Sequence, residues 1–409
     1  MSEGKGMTFD AVATADAMLD LTHPRKMAAA AWAADELRDG VEGFARDRWR
    51  RAAAYGVQGL TIPREHGGDA VSAVDAMLTF EGIGLGCDDN GTNFALASQV
   101  FPAQMTLARF GSVPQLERWV PGLLDGSTVA SFAMSEPGAG SDTAAVTSTA
   151  ELQDDGSFRL DGVKSWVTLG PVCDVVIVFA STDPAAGRWG LTALVVDADQ
   201  PGVVRSPAQE KMGLRNCPFG QIRFERCVVG PDRVLGTAGA GGSIFNAAVE
   251  IERAFLYAAQ LGAAERVLER TIRRARTRTQ FGRPIGAFQA VAHRIVDMKL
   301  RHEASRLLLY SAAARFDRGE AVTMAASLAK LQAAESAVAT GLDAIRLHGA
   351  EGYTEECGIE VELRDAVGGL SYSGTSEIQR NIVASLLRLD RARPADGPTD
   401  DPADEPVDV

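Results

Sequence analysis

The sequence predicts an α+β protein built as three successive blocks: helical, then β, then helical again. Three observations carry this. Apolar residues recur at helical spacing up to about residue 126. From about residue 128 the texture turns to short β-branched runs bounded by polar turns. Beyond a glycine cluster at Gly236, Gly239, Gly241 and Gly242 the helical period returns in long stretches. A chain of 409 residues with 46% apolar side chains can bury a large core and divides into two or three domains. The expected boundaries are a helical domain over 1–127, a β domain over 128–240, a helical bundle over 241–392 and a tail over 393–409.

In the first block the Ala-rich helical pattern is broken by turn signals at Pro63-Arg64-Glu65-His66-Gly67-Gly68 and Gly111-Ser112-Val113-Pro114. In the second, Asp174-Val175-Val176-Ile177-Val178-Phe179-Ala180 and Leu191-Thr192-Ala193-Leu194-Val195-Val196 read as buried strands. Gln221-Ile222-Arg223-Phe224-Glu225 alternates with period two. In the third, Val291, Ile295 and Met298 share one helical face, and similar faces run through 243–276, 320–347 and 375–391. Long, nearly parallel helices imply a bundle. The tail carries six acids and no base from residue 394 onward, lacks hydrophobic anchors, and is expected to be disordered.

Composition sets the bounds on function. A net charge of -13 argues against nucleic acid or an anionic membrane surface as partner. The five cysteines form no C-x-x-C pair and are odd in number, which points to free thiols in a reducing compartment. The five histidines form no metal-binding pair, so no metal is expected. No run reaches membrane-spanning length, and Asp10, Asp16 and Asp20 stand where a basic, then apolar, leader would be; a cytoplasmic protein is the expectation.

Two stretches carry the chemistry. Ala133-Met134-Ser135-Glu136-Pro137-Gly138-Ala139-Gly140-Ser141-Asp142 packs two glycines, a proline and three short hydrogen-bonding side chains into one loop, so that its backbone N–H groups can approach a flat, acceptor-rich ligand. Trp166-Val167-Thr168-Leu169-Gly170 adds an aromatic plate and a hydroxyl. An isoalloxazine needs both. With Ser135 where many members carry Thr, the loop resembles the first signature of the acyl-CoA dehydrogenases. Lys211-Met212-Gly213-Leu214-Arg215, Arg278-Thr279-Gln280-Phe281-Gly282-Arg283-Pro284-Ile285, Phe288-Gln289, Arg364-Asp365 and Gly374-Thr375-Ser376-Glu377-Ile378-Gln379-Arg380 follow in the family's order. The likeness runs from about residue 25 to 390.

The resemblance implies an N-terminal helical domain, a central β-barrel and a C-terminal four-helix bundle. It implies FAD as cofactor and an α,β-dehydrogenation of an acyl thioester, in which a base takes the α-proton while the β-hydrogen leaves as hydride to flavin N5. Many members carry the base in a Tyr-Glu-Gly-Thr motif. Here that tetrad is Tyr372-Ser373-Gly374-Thr375, and a serine hydroxyl cannot act as general base. The isovaleryl-CoA and long-chain dehydrogenases place their Glu about 120 residues earlier, before an Arg, and Glu250-Ile251-Glu252-Arg253-Ala254 stands there. Glu252 is thus the expected base, the alternative being a carboxylate that merely pairs with Arg253 or Arg215. Glu250, about 200° around the helix, takes the place of an Asp that holds the pantetheine amide, with Arg253 and Ser141 also expected at the substrate. Ser373 would serve through its backbone N–H, aimed at the thioester carbonyl.

Phe132, Met134, Ser135, Gly140, Ser141, Trp166 and Thr168 resemble the residues that hold the isoalloxazine, with Thr375 and Glu377 approaching from the bundle. Arg278, Phe281 and Gln289 resemble those that reach a neighbouring subunit's FAD, which implies a homodimer or homotetramer. Close to where the resemblance places that FAD's diphosphate, this chain has Arg346-Leu347-His348-Gly349-Ala350, with Arg346, Gly349 and Ala350 at cofactor positions and His348 expected to be a packed helix-end residue. Val367-Gly368-Gly369-Leu370 replaces a bulkier stretch and would widen the acyl pocket. An electron-transfer flavoprotein is the implied acceptor. An acyl group tethered to a carrier protein, and a flavin monooxygenase or oxidase on the same fold, remain open as alternatives to an acyl-CoA substrate.

Overall fold

The computed structural model describes residues 20–389 apart from 39 and 41. Asp10, Asp16 and the acidic tail lie outside the described residues. Six α-helices form the first block: α1 (Pro24–Glu36), α2 (Arg46–Tyr55), α3 (Ala73–Gly86), α4 (Asn90–Ser98), α5 (Met105–Phe110) and α6 (Val113–Leu124). The turn signal at 111–114 marks the start of α6, where Ser112 and Gln115 form a capping box. Ser72 caps α3 by accepting from Asp75 N at 3.0 Å. The Asp317 carboxylate, from the third block, accepts from Ala73 N at 2.7 Å. Between α4 and α5 a π-helical stretch, Gln99–Gln104, contains Pro102. There the Gln99 side chain accepts from Ala130 N at 2.7 Å and ties the helices to the first strand.

The middle block is a curled seven-stranded sheet: β1 (Ala130–Ala133), β2 (Thr149–Leu152), β3 (Phe158–Thr168), β4 (Val175–Ser181), β5 (Leu191–Asp197), β6 (Val203–Arg205) and β7 (Phe219–Val229). The β1 strand runs parallel to β4, β5 pairs β4 antiparallel, and β3 pairs antiparallel with β2 and β7. In the β3–β7 ladder the register slips between Lys164 (opposite Ile222) and Val167 (opposite Gly220). Two residues of β3 therefore face one of β7, a bulge that redirects side chains. One of them, Trp166, sits at φ +55° and is 51% exposed.

The third block comprises α7 (Gly241–Phe255), α8 (Ala258–Thr277), a β8–β9 hairpin (Thr279–Gln280 and Arg283–Pro284), α9 (Gln289–Asp317), α10 (Thr323–His348), α11 (Ile359–Val367) and α12 (Ser376–Leu386). The single helical face expected over 243–276 is two helices, broken at Leu256 and Tyr257, where the buried Tyr257 hydroxyl donates to Gly369 O at 2.7 Å. The central helix, α10, packs on α7, α8, α9, α11 and α12. This is the expected three-part architecture.

The first and third blocks share one core. Helices α3 and α8 approach at glycines: a Cβ on Gly84 would lie 1.8 Å from Ala259 O, and one on Gly262 1.9 Å from Glu81 O. A buried ionic cluster sits beside this contact. Lys26 Nζ lies 2.5 Å from Glu265 Oε2 and 3.2 Å from Glu81 Oε1, and Arg306 Nε lies 2.9 Å from Glu81 Oε1. His302 lies alongside with neither ring nitrogen bonded; burial pushes its pKa down to about 4. Glu81, Glu265 and His302 have the spacing of metal ligands, yet the ammonium of Lys26 already sits between the two carboxylates. All five cysteines are free. Among the described residues no helix is long and apolar enough to cross a membrane.

Candidate active site

The glycine-rich loop is held by a buried ion pair beneath it. Lys164 on β3 and Glu136 in the loop meet at 2.8 Å, both nearly inaccessible to water. Lys164 Nζ also donates to Met134 O at 3.0 Å. Glu136 further accepts from Ser148 Oγ and N and from Thr147 Oγ1 and N, at 2.5 to 3.0 Å. Burial alone would raise the Glu136 pKa; the Lys164 charge and these hydrogen bonds outweigh it and draw the group down to about 2. Above this anchor the loop opens outward. Ser141 is exposed, and a Cβ at Gly138 or Gly140 would meet nothing within 4 Å. The bulge in β3 sets Trp166 beside the loop strand, since Ser165 N donates to Ser135 O at 2.9 Å. The exposed indole and open backbone suit a planar heterocycle. Phe132 is partly buried, its ring 5.0 Å from that of Phe179.

Glu252 lies near the C-terminal end of α7. Its Oε1 accepts from the Ser373 hydroxyl at 2.8 Å. Loss of water around the half-buried carboxyl raises its pKa above the ordinary value, while the Ser373 bond and the Arg253 and Lys330 charges pull the other way. The alternative of a pair with Arg253 is not what the geometry shows: Arg253 Nε donates to Ser373 O at 3.2 Å. Gln379 Nε2 donates to Ser373 O and Gly374 O at 3.1 and 3.0 Å. These bonds hold Ser373 at φ +57° and Gly374 at φ +85°, a left-handed pair that a non-glycine residue adopts at some cost. Among the described residues the Ser373 N–H has no hydrogen-bond partner. Glu250 points elsewhere, accepting from the Thr323 hydroxyl.

Family profiles cover the chain in three consecutive matches: the acyl-CoA dehydrogenase N-terminal domain over 22–127, the middle domain over 131–227 and the C-terminal domain over 239–387. The chain belongs to the acyl-CoA dehydrogenase family. It is 41% identical over 346 residues to an L-prolyl-[peptidyl-carrier protein] dehydrogenase of Pseudomonas fluorescens, covering 85% of this chain and 91% of that one. Its structure resembles that of the prolyl acyl carrier protein oxidase AnaB, with TM-score 0.87 and 39% identity over 89% of this chain and 97% of the other. It also resembles PigA with FAD and proline, with TM-score 0.88 and 32% identity over 94% and 100%.

Within this family fold the remaining expected residues form a second group. Arg278, Phe281 and Gln289 lie exposed around the β8–β9 hairpin, with Phe281 at 92% exposure and φ +52°. Arg346, Gly349 and Ala350 are exposed at the C-terminal end of α10, where Arg346 Nη1 lies 3.4 Å from Asp343 Oδ1. His348 is buried, its Nδ1 2.8 Å from Ala344 O, as a packed helix-end residue should be. Thr375 caps α12 by accepting from Ile378 N, and Glu377 is exposed in the first turn.

Two groups escaped the sequence reading. Lys330 on α10 is fully buried and donates to Gly369 O at 2.9 Å. Burial and the Arg253 charge press its pKa down to about 8. Tyr257 shares that carbonyl. A lysine within an Ala-rich helix reads as a solvated position, and only the fold reveals otherwise. The Glu136–Lys164 pair was equally hidden, since its members stand 28 residues apart.

Proposed function

We propose that this acyl-CoA dehydrogenase family oxidoreductase binds FAD and dehydrogenates an acyl thioester between Cα and Cβ, with the acyl group carried on a carrier protein and a prolyl-type aminoacyl group as the first candidate. The contact that carries the reading is the Ser373 hydroxyl on Glu252 at 2.8 Å. It keeps a carboxylate with a raised pKa beside a backbone N–H that is free to receive a carbonyl. Glu252 accepts the α-proton, and its partial desolvation makes it a stronger base than a carboxylate in water. The Ser373 N–H donates to the thioester oxygen as negative charge gathers there. FAD, when bound, supplies the acceptor for the β-hydride. Phe132, Met134, Ser135, Gly140, Ser141, Trp166, Thr168, Thr375 and Glu377 would hold its flavin end, Arg253 would stand near the thioester, and Glu250, turned toward Thr323, would meet the pantetheine arm.

Likeness to a prolyl-carrier-protein dehydrogenase and to a prolyl acyl carrier protein oxidase supports the carrier-bound substrate over free acyl-CoA. Assembly as a homodimer or homotetramer is part of the proposal. It is supported by the exposed Phe281 and by Val296, Leu300 and Leu307 on the outer side of α9, which leave apolar surface for a second copy. Arg278, Gln289, Arg346, Gly349 and Ala350 would complete the partner's FAD site across that interface. An electron-transfer flavoprotein is the proposed acceptor, and the free, mostly buried thiols suit a reducing cytoplasm.

The test is anaerobic mixing of the holoenzyme with prolyl and straight-chain acyl groups, each on CoA and on a carrier protein, followed by flavin bleaching. Fast bleaching by the carrier-bound prolyl group supports the reading. Bleaching by straight-chain acyl-CoA alone overturns the carrier. Rapid reoxidation by air with peroxide release would identify oxygen as the acceptor.

A further inference from the structure

A small, partly open cavity of about 50 Å³ lies among α4, α8, α10 and α11. One wall is Tyr372, the residue before Ser373. The Tyr372 ring packs against Phe94 at 4.7 Å and Tyr257 at 5.3 Å between centroids. The segment that bears the Glu252 contact therefore also shapes this space. Gly369 lies beside this wall: a Cβ there would be 3.4 Å from the Tyr372 hydroxyl and 3.5 Å from Gln260 Nε2. Ala264 on α8 and Ala337 on α10 line it with methyl groups only.

Its polar lining includes acceptors without partners. Asn93 is 1% exposed; its Nδ2 donates to Cys87 O at 2.9 Å, and its Oδ1 has no partner. Gln260 Oε1 is likewise buried and unbonded. Two carboxylates join them. Glu362 is neutralised by Arg266 at 3.0 Å. Asp365 accepts from Leu214 N and from Asn90 Nδ2 at 3.0 Å, and among the described residues it has no ion pair. The cavity thus presents two unpaired amide oxygens and a carboxylate without a cationic partner among the described residues. A hydrocarbon tail entering it would leave both amide oxygens unsatisfied.

We infer that this cavity selects the acyl group, and that it takes one bearing N–H donors on a cationic amine, as a saturated cyclic amino acid does. The inference rests on the thioester dehydrogenase reading above and names the feature of the substrate that this chain reads. Asn93 Oδ1 and Gln260 Oε1 accept from the amine, and Asp365 balances its charge. A site built to accept from a substrate N–H discriminates against the analogue that lacks it more sharply than an apolar pocket rejects a missing methylene.

Two pairs of probes separate the outcomes. L-prolinamide and cyclopentanecarboxamide, equal in shape, are titrated into the FAD-loaded enzyme and read by the flavin absorbance shift, which needs no turnover. Prolyl and cyclopentanecarbonyl groups on the carrier protein are then compared by anaerobic flavin bleaching. Wild type should bind prolinamide about ten- to a hundredfold more tightly. Gln260→Leu should remove about tenfold of that preference, Gln260→Glu should increase it, and Ala337→Leu should weaken both ligands by filling the cavity. Equal binding of the two amides by wild type, or a preference untouched in all three folded variants, overturns the inference. Selective prolinamide binding without bleaching by any thioester overturns the dehydrogenase reading and leaves the cavity's assignment standing. Fast bleaching that is indifferent to the ring nitrogen does the reverse.

Discussion

Ser373 donates its hydroxyl to the Glu252 carboxylate across 121 residues of sequence. In the branch of the family with a Tyr-Glu-Gly-Thr tetrad, the position of Ser373 carries the base itself. Here it carries a donor aimed at the carboxylate proposed as base, which arrives from α7. The two positions share one small volume, which is why an acid at one goes with a small residue at the other.

Replacing the proposed base is the most direct test. Glu252→Gln preserves size and can still meet Ser373, so flavin should be retained while reduction by substrate falls about 10²- to 10⁴-fold. Stopped-flow bleaching measures it. The same variant has a stability signature. Because the folded-state pKa of Glu252 is raised, its ionisation opposes folding as pH climbs from the unfolded value through the folded one. Glu252→Gln should therefore melt above wild type at pH 8 and level with it at pH 4.

From sequence alone, Ser373 was expected to act only through its N–H, and the hydroxyl contact alters what its removal should do. Ser373→Ala deletes a bond that lowers the Glu252 pKa. The acid limb of the pH–rate profile should move to higher pH while the plateau rate changes little. A profile that superimposes on wild type would show the hydroxyl to be idle.

Lys330→Met removes the donor to Gly369 O and a buried charge together. Folding lowers the Lys330 pKa to about 8. Wild type should thus gain stability as pH rises from about 8 toward the unfolded lysine value, and the variant should lose that gain. Melting temperatures between pH 7.5 and 10.5 check the slope. Bleaching should slow about tenfold if the carbonyl contact positions the Ser373 segment.

Lys164→Met strands Glu136 without its cation, a change that costs about 3 to 5 kcal/mol when a buried pair is broken. The loop over it should loosen and FAD should dialyse away. Glu136→Gln, which keeps the Ser148 and Thr147 bonds, should be milder. The Glu136 contribution should hold above the unfolded carboxylate pKa and disappear as pH falls toward about 2.

Arg278→Ala should weaken FAD binding by about ten- to a hundredfold, the worth of one charge-assisted contact to phosphate. If the contact crosses an interface, dilution that dissociates the wild-type oligomer should release FAD in parallel. Light scattering that shows a fully flavin-loaded monomer would refute the shared site.

The order of the three blocks was legible because periodicity is a local property: β4, β5 and the helical faces of α9 and α10 all fall where the pattern put them. The break between α7 and α8 was not, since it depends on Tyr257 reaching a carbonyl 112 residues away. Trp166 was recognisable as an aromatic plate, whereas the bulge that turns it outward depends on strand pairing with β7. Glu252 could be singled out as a candidate because it stands directly before Arg253, as the family resemblance implies. Lys330, Glu136 with Lys164, and the acceptors of the cavity behind Tyr372 could not, because burial and pairing arise only when distant helices and strands meet.

The cluster of Lys26, Glu81, Glu265 and Arg306 has an evolutionary corollary. Any one substitution within it strands a charge in the core, whereas a concerted exchange for apolar residues need not destabilise the fold. Point mutation must cross a valley to reach the second state. The helices of the first block and those of the third are thereby bound to a common history, and a chimera that joins residues 20–127 of one relative to the remainder of another should fold only when both parents carry this cluster or both lack it.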